Sequence, residues 1–246
     1  MKRKALVLFS GGSDSTLAAA LYAEQGYEVH LVTLDRFSYV RVKNYTEHNY
    51  KKLVSIYGEK CFVRAVLNIE KWHKLLNYEN YFSYAKKYGL AVVALNFSKL
   101  SLHWRALVYA IENGIEVIAD GAVPYMKLYL DQNQKISLGG FQELYQQFGI
   151  RHESPVWDLA EDVEQLLYDR GINKRPQVRG TNDDRQVFYA EQFVFALFAK
   201  YYCAKYGEEA YEKKMAELYT DKFQFIKTET LAWKNNNGKY LPELLS

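Results

Sequence analysis

A short stretch near the amino terminus combines hydroxyl side chains, two glycines and a carboxylate. Residues 10–16 read Ser-Gly-Gly-Ser-Asp-Ser-Thr, directly after an apolar run from Ala5 to Phe9 that predicts a buried strand. From Asp14 onward, apolar residues recur at the spacing of a helix. A helix that begins directly after a glycine turn directs its first backbone N–H groups past the end of the preceding strand. The stretch therefore predicts an anion site suited to phosphate.

The residue types within this turn fit that chemistry. Gly11 and Gly12 let the backbone approach a phosphate closely because they have no Cβ atom. Further hydrogen-bond donors are the hydroxyl groups of Ser10, Ser13, Ser15 and Thr16. Asp14 would repel a phosphate unless a divalent cation lies between them, so it is interpreted either as a magnesium ligand or as the cap of its own helix turn. The turn is not a Walker A loop, which needs a wider glycine spacing and a Gly-Lys-Ser/Thr ending.

Residues 10–15 resemble the Ser-Gly-Gly-x-Asp-Ser/Thr signature of the PP-loop ATP pyrophosphatases, the adenine-nucleotide alpha-hydrolase-like superfamily. The resemblance implies an enzyme that binds ATP with Mg²⁺, transfers AMP to an oxygen of a second substrate and releases pyrophosphate. It also implies that backbone groups of Leu34 and Asp35 hold the adenine, and it makes Asp120 and Gly121 site candidates. Asp120 would then join Asp14 as a magnesium ligand. An ordinary strand-end turn is the alternative for Asp120-Gly121, because Asp-Gly is a common turn pair.

A second, partial resemblance concerns the strand end at 33–35 with Arg41 and Glu47 beyond it. This stretch is similar to the corresponding part of the 7-cyano-7-deazaguanine synthases, over roughly the first sixty residues of the chain. Those enzymes carry a four-cysteine zinc site, whereas this chain has two cysteines, Cys61 and Cys203. We predict that both cysteines act as small hydrophobic residues, Cys61 within a strand and Cys203 on a buried helix, and not as nucleophiles.

The broader superfamily pattern extends to about Ile172, with two departures. Ser154 stands where the superfamily's Arg-Pro-Leu stretch has its arginine, and Ala160 or Glu161 stands where a lysine often contacts phosphate. Another cation is therefore expected to neutralise the triphosphate. The polar loop 173–185 offers three arginines, whose planar guanidinium groups fit phosphate better than lysine does. We nominate these three for phosphate or substrate contacts: Arg175, Arg179 and, as a catalytic candidate, Arg185. The alternative is a solvated loop.

The elements predicted around these residues form an α/β fold. Strands are predicted at 5–9, 27–34, 61–67 and 115–119, and helices at 44–57 and 100–113. Strand, helix and strand within about thirty residues favour an open, mostly parallel sheet with helices on both faces, the HUP-like arrangement of the superfamily. Ligands of such sheets bind beyond the carboxyl ends of the strands, where the glycine turn, Asp35 and Asp120 would lie.

The rest of the chain predicts a helical carboxy-terminal region. We divide the chain into a PP-loop nucleotide-binding α/β domain, residues 1–172, and a helical region packed on it, residues 173–246. A long helix is predicted at 186–206, followed by a more charged helix to about Tyr219. Because the first of these helices is apolar on all sides, we place it in the core, with a homodimer interface as the alternative.

Two segments allow more than one interpretation. The segment 69–97 is ambiguous, and we favour helix. Gly139 and Gly140 precede a helix predicted at 141–148, and we favour a simple connector over a second anion-binding turn, because a glycine pair alone is weak evidence.

The composition indicates a soluble protein of the cytoplasm. The chain has 246 residues, 49% of them hydrophobic, which suffices for a sizeable core. A net charge of +3 permits an anionic substrate without demanding nucleic acid, so a small-molecule or nucleobase substrate is favoured over a nucleic acid partner. No apolar run approaches the roughly 20 residues that span a bilayer. Two cysteines suit a reducing compartment.

Together these features predict an ATP-dependent adenylating enzyme. A substrate carboxylate, amide or carbonyl oxygen would attack the α-phosphorus, and ammonia, an amine or a sulfur donor would then displace the adenylate. Positioning and electrostatic stabilisation are the main requirements of such a reaction. Two alternatives remain: a sulfurtransferase that modifies a nucleic acid base, which the scarcity of thiols disfavours, and a regulatory protein that holds ATP or AMP without turnover.

Overall fold

A five-stranded parallel sheet is the central element of the computed structural model, which describes residues 2–35, 39–88, 98–124, 134–174 and 200–236. Its strands are β1 (Lys4–Leu8), β2 (Glu28–Asp35), β3 (Phe62–Asn68), β4 (Val117–Ala119) and β5 (Arg151–Glu153). Their spatial order is β3-β2-β1-β4-β5, and every neighbouring pair is parallel. The strand order reverses between β1 and β4, and in open parallel sheets this switch point is where ligands bind.

Eight α-helices accompany the sheet in the described ranges. They are α1 (Ser13–Glu24), α2 (Tyr39–Tyr57), α3 (Glu70–His73), α4 (Tyr81–Tyr88), α5 (Ser98–Asn113), α6 (Gly139–Gln146), α7 (Val163–Asp169) and α8 (Glu208–Asn235). Residues 200–206 are also helical. The predicted α/β fold with a helical carboxy-terminal region is confirmed. Within the described part of the chain, none of these helices has the length and hydropathy needed to cross a membrane.

The inner strands are covered on both faces. Ala5, Leu6 and Val7 of β1 are fully buried, as are the three residues of β4. A strand buried on both faces needs a continuous apolar run, which is why these two strands could be predicted from the sequence. The β1–β2 register pairs Val7 with Leu31 and Leu8 with Val32, so both strands end at the same edge. The turn after β1 is therefore attached to a rigid support.

The described residues form two compact units. The first comprises the described parts of Met1–Asn68, Tyr109–Pro124 and Phe148–Val187, and it contains the whole sheet with α1, α2 and α7. The second comprises those of Ile69–Val108, Tyr125–Gln147 and Phe188–Ser246, and it contains α3, α4, α6 and α8. The predicted division of the chain at residue 172 stays a prediction.

The second unit is built around a buried tryptophan. The Trp104 side chain is fully buried, and its indole Nε1 donates a hydrogen bond to Thr230 Oγ1 at 2.9 Å. Trp72 packs edge-on against it, with ring centroids 4.8 Å apart. Helix α8 supplies Thr230 and continues to Asn235, so the predicted end near Tyr219 is wrong. The buried side chains of Ile226 and Trp233 extend the apolar face beyond that point.

The structure shows the conformation of two segments whose secondary structure was ambiguous from the sequence, 70–88 and the glycine pair at 139–140. Residues 70–88 are helical throughout apart from a turn at 79–80, which confirms the favoured interpretation for that part of 69–97. Gly139 and Gly140 lie inside α6, so neither the connector nor the second anion-binding turn is correct. A Cβ atom on Gly140 would overlap the Phe223 ring, which shows that this glycine serves close packing between α6 and α8.

Candidate functional site

The turn between β1 and α1 has the backbone geometry of an anion-binding loop. Gly11 has a φ angle of +83°, a conformation that side chains bearing a Cβ rarely adopt. Gly12 is extended and caps α1, whose first intrahelical bond runs from the Thr16 N–H to the Gly12 carbonyl at 3.0 Å. The N–H groups of residues 13–15 precede that bond and belong to the first helical turn. Because β1 ends just before the turn, this end of α1 faces the switch point.

The hydroxyl groups of the turn divide into two pairs. Ser15 Oγ and Thr16 Oγ1 donate to the Gly12 carbonyl at 3.1 and 2.8 Å, and both residues are buried. In this structure they brace the helix start. Ser10 is exposed, and Ser13 is half-buried. Ser10 Oγ accepts the Gly12 N–H at 3.3 Å. Ser10 and Ser13 are therefore the more accessible hydroxyl donors in the turn.

The end of β4 lies against the first turn of α1. A Cβ atom added to Gly121 would come within 3.1 Å of both Asp14 Cβ and the Ser15 backbone nitrogen. Such distances are shorter than most carbon contacts, so a larger residue would require its neighbours to move by a few tenths of an ångström. Asp14 and Gly121, which were nominated separately from the sequence, are therefore neighbours at the switch point.

Asp120 is held by three groups in the turn that follows β4. It is buried, and its Oδ1 accepts hydrogen bonds from the Ala122 N–H at 3.1 Å and from Ser154 Oγ at 2.7 Å. Its Oδ2 lies 3.4 Å from His152 Nε2, which sequence reasoning did not single out. The resemblance to the superfamily predicts that Ser154 stands where an arginine is usual. Here that position orients a carboxylate instead of adding a cation.

The predicted adenine-binding residues end the strand next to β1. Asp35 is the last residue of β2, is buried, and pairs with Asn68 of β3 in the sheet register. Leu34 before it is half-buried. Thr33 Oγ1 donates to the Phe9 carbonyl at 2.8 Å, which ties the end of β2 to the start of the loop. Leu34 and Asp35 thus lie at the same sheet edge as the glycine turn.

Helix α2 contributes a loop contact that sequence reasoning missed. Asn49 Nδ2 donates a hydrogen bond to the Gly11 carbonyl at 2.6 Å. The sequence gives no signal for this contact, because a single amide within a predicted helix belongs to no motif. Near Asn49, Arg64 of β3 forms an ion pair with Glu47, and the guanidinium holds the pKa of that carboxyl below its ordinary value.

The three nominated arginines, Arg175, Arg179 and Arg185, lie outside the described residues. Asn173 is the first residue of the loop predicted to carry them, and both polar atoms of its amide form hydrogen bonds. Its Oδ1 accepts a hydrogen bond from Lys52 Nζ at 3.2 Å, and its Nδ2 donates to Glu164 at 3.2 Å. The loop therefore starts from a fixed point within the unit that contains the sheet.

Neither cysteine has the surroundings of an activated thiol. Cys61 lies in a short 3₁₀ turn, Glu59–Cys61, just before β3 and not within the strand as predicted. Its Sγ donates to the Tyr57 carbonyl at 3.0 Å. Burial raises the pKa of the Cys203 thiol, which reduces its thiolate fraction at neutral pH.

The donor chemistry near the loop fits magnesium bound together with a nucleotide. In the described ranges, no group of three or more His, Cys, Asp or Glu side chains is placed to hold a metal ion by itself. Mg²⁺ is commonly held by one or two carboxylates together with substrate phosphates and water. Asp14 is half-buried in the first turn of α1, and Asp120 directly precedes the glycine that touches it. Two carboxylates from adjacent elements meet this requirement.

A comparison with protein families agrees with the geometry. Residues 4–123 match the family described as Queuosine biosynthesis protein QueC, whereas no curated protein matches the chain. The matched segment runs from the start of β1 past the end of β4, and it includes the glycine turn, Asp120 and Gly121. The matched part of this chain, with its strand, glycine loop and helix at the switch point of a parallel sheet, is therefore similar to a family of the PP-loop ATP pyrophosphatase superfamily.

Proposed function

We propose that the protein is an ATP-dependent adenylating enzyme that converts ATP to AMP and pyrophosphate. The observation that carries this proposal is the contact of Gly121 with the first turn of α1, at the point where the strand order reverses. It brings the turn after β4 beside a helix start that can bind an anion, at the edge where parallel sheets bind ligands. The family match covers every element of this arrangement.

Each part of the loop has a proposed role. The N–H groups at the start of α1, with the hydroxyls of Ser10 and Ser13, would bind the phosphates that leave as pyrophosphate. Asp14 and Asp120 would hold Mg²⁺, which when bound neutralises phosphate charge. Backbone groups of Leu34 and Asp35 would bind the adenine. The predicted loop after Asn173 would close over the phosphates with three arginines, Arg175, Arg179 and Arg185. Of these, Arg185 would lie nearest the reacting atoms.

The chemistry needs no covalent intermediate with the protein. An acceptor oxygen attacks the α-phosphorus, the bond to the bridging oxygen breaks, and pyrophosphate leaves with the electron pair. A nucleophile then adds to the activated carbon, and AMP departs with the acceptor oxygen. The protein contributes position and a fixed set of donors at the phosphates, which are the main sources of rate enhancement in such reactions.

A nitrogen nucleophile is the proposed second reactant. A sulfur route through the protein would require a thiol with a lowered pKa near the site. Cys61 donates its hydrogen to a main-chain carbonyl, and burial raises the pKa of Cys203. Both observations count against a thiol-dependent sulfurtransferase acting on a nucleic acid base.

The proposed acceptor is a carboxylated nucleobase. The matched family is described by its part in queuosine biosynthesis, and the early part of the chain is similar to the 7-cyano-7-deazaguanine synthases. A nitrile has the oxidation level of a carboxylic acid, so a 7-carboxy-7-deazaguanine would reach a 7-cyano group without a redox step. Adenylation and attack of ammonia would give the amide with loss of AMP, and a second adenylation, of the amide oxygen, would give the nitrile with loss of a second AMP. The chain cannot form the four-cysteine zinc site of those synthases, since it has two cysteines. Other carboxylated or oxo purines therefore belong in the same test.

The decisive experiment follows pyrophosphate release from labelled ATP and Mg²⁺ in the presence of ammonia and each acceptor. Mass spectrometry of the acceptor identifies the product. We expect AMP and pyrophosphate in equal amounts, both dependent on acceptor. ATP binding without pyrophosphate release, with any acceptor or a metabolite extract, would contradict the proposal. That outcome would support a regulatory nucleotide-binding protein, a role favoured by the serine at position 154 in place of the superfamily's arginine.

A further inference from the structure

A side chain outside the glycine motif fixes the conformation of the motif. Asn49 lies on α2 and is 38 positions away from Gly11 in the sequence, yet its Nδ2 donates to the Gly11 carbonyl at 2.6 Å. This is a short bond for an amide donor. It acts on the peptide between the two glycines of the loop, where the backbone has the greatest conformational freedom.

The direction of one peptide affects how strongly the loop favours an anion. The described residues contain no cis peptide bond, and in a trans peptide the C=O and N–H groups point to opposite sides. In the Gly11–Gly12 peptide the Gly11 carbonyl accepts from Asn49, and the Gly12 N–H donates to Ser10 Oγ at 3.3 Å. A flip would exchange the two directions and turn the carbonyl oxygen toward Ser10, whose hydroxyl is proposed to bind the phosphates. Such a flip is easy between two glycines. The bond from Asn49 opposes it by occupying the Gly11 carbonyl.

Helix α2 is itself anchored beside Asn49. Arg64 of β3 donates to Thr46 Oγ1 at 2.8 Å and forms an ion pair with Glu47. The Arg64 guanidinium also lies over the Tyr50 ring, 5.1 Å from its centroid. These three partners surround Asn49 in the sequence of α2. The amide is therefore held relative to the sheet, and its position does not depend on the loop it contacts.

We propose that Asn49 is a positioning residue for nucleotide binding, which locks the Gly11–Gly12 peptide with its carbonyl turned to α2. The inference rests on the proposed function of the loop as a nucleotide site. It assigns to α2 a role in setting phosphate affinity, although no α2 residue belongs to the motif. The role differs from general stabilisation, because the half-buried Asn49 side chain donates its hydrogen bond directly to the loop.

The test compares three substitutions with a control on the same helix. Asn49→Ala removes the donor, Asn49→Asp places an acceptor against the Gly11 carbonyl, and Asn49→Gln keeps the amide on a longer side chain. Ser55→Ala is the control, because Ser55 is exposed on α2 and donates to the Lys52 carbonyl of its own helix. Calorimetry gives the Kd for ATP, thermal unfolding gives stability, and pyrophosphate release gives kcat and KM.

We expect the ATP Kd to rise about tenfold in Asn49→Ala and further in Asn49→Asp, with partial recovery in Asn49→Gln. KM for ATP should rise with the Kd, while kcat changes less and the melting temperature stays near that of Ser55→Ala. Unchanged ATP affinity in Asn49→Ala and Asn49→Asp, beside a wild type that binds ATP, would overturn this inference alone. A wild type that binds no ATP would overturn the proposed function and this inference with it.

Discussion

The close approach of Gly121 to α1 gives the sharpest prediction. In Gly121→Ala, the new methyl carbon would lie 3.1 Å from Asp14 Cβ and from the Ser15 nitrogen, and 3.3 Å from the Asp14 carbonyl carbon. Ordinary carbon contacts lie at roughly 3.5–4.0 Å, so the helix start or the β4 turn must move by a few tenths of an ångström. Two of these three neighbours are backbone atoms, which cannot rotate away. Overpacking of this kind costs about 1–3 kcal/mol of unfolding free energy.

The same displacement should weaken ATP binding, because it moves the helix start that faces the phosphates. We expect a five- to tenfold rise in Kd, which corresponds to about 1–1.4 kcal/mol. Gly149→Ala is the matched control, since Gly149 has a φ of +75° with open space around it. An alanine there should cost about 1–2 kcal/mol of stability through backbone strain alone. Urea unfolding and calorimetry measure both quantities.

Comparing Gly121→Ala with Gly149→Ala separates the loss of stability from the loss of ATP affinity. If Gly121→Ala and Gly149→Ala lose similar stability, but only the first binds ATP more weakly, the geometric reasoning holds. The reasoning fails if Gly121→Ala binds ATP as tightly as Gly149→Ala does. It also fails if Gly121→Ala is as stable as the wild type, since the contact distances leave no room for the methyl group without movement.

The other predictions concern the metal, the thiols and a buried lysine. Asp14→Asn should abolish acceptor-dependent pyrophosphate release while ATP affinity falls only in part, and normal turnover in this variant would rule out its role as a magnesium ligand. The double substitution of Cys61 and Cys203 by alanine should keep full turnover in the same assay, and loss of turnover in a folded protein would restore the thiol route. Burial lowers the pKa of Lys222 to about 7, so between pH 7 and 10 the unfolded state binds more protons than the folded state. The unfolding free energy of the wild type should therefore rise with pH relative to that of Lys222→Met, by up to about 1.4 kcal/mol per pH unit. Urea unfolding measures both proteins at pH 7 and 9, and an equal difference in unfolding free energy at the two pH values would refute this prediction.

The part of the fold that the sequence revealed is the part with strong local signals. Strands β1 and β4 contain continuous apolar runs because they are buried on both faces, and β2 combines buried apolar residues with the buried polar residues His30 and Thr33. The glycine turn was recognised because its glycines and hydroxyl residues form a known motif, and Gly11 in that motif has a positive φ angle. Strand ends of a parallel sheet meet at one edge, so Asp35, Asp120 and Gly121 could be assigned to that edge without knowledge of their contacts.

The contacts that were missed join residues far apart in the chain. No sequence pattern links Asn49 to Gly11. The same is true of Ser154 and Asp120, which lie 34 positions apart. The length of α8 was underestimated because its buried face continues through Thr230, a polar residue whose hydroxyl is satisfied by the Trp104 indole. Each of these errors comes from a partner that only tertiary structure supplies.

The fit of Gly140 against Phe223 has a consequence for how related sequences should vary. A larger residue at position 140 has no room while the aromatic ring stays in place, so the two positions should change together: alanine or serine at 140 calls for a shorter side chain at 223. Natural variants are therefore expected to preserve the combined volume of the pair. The glycine pair at 139–140, which resembles a phosphate loop when only the sequence is considered, would then be recognised by its covariation as a helix contact.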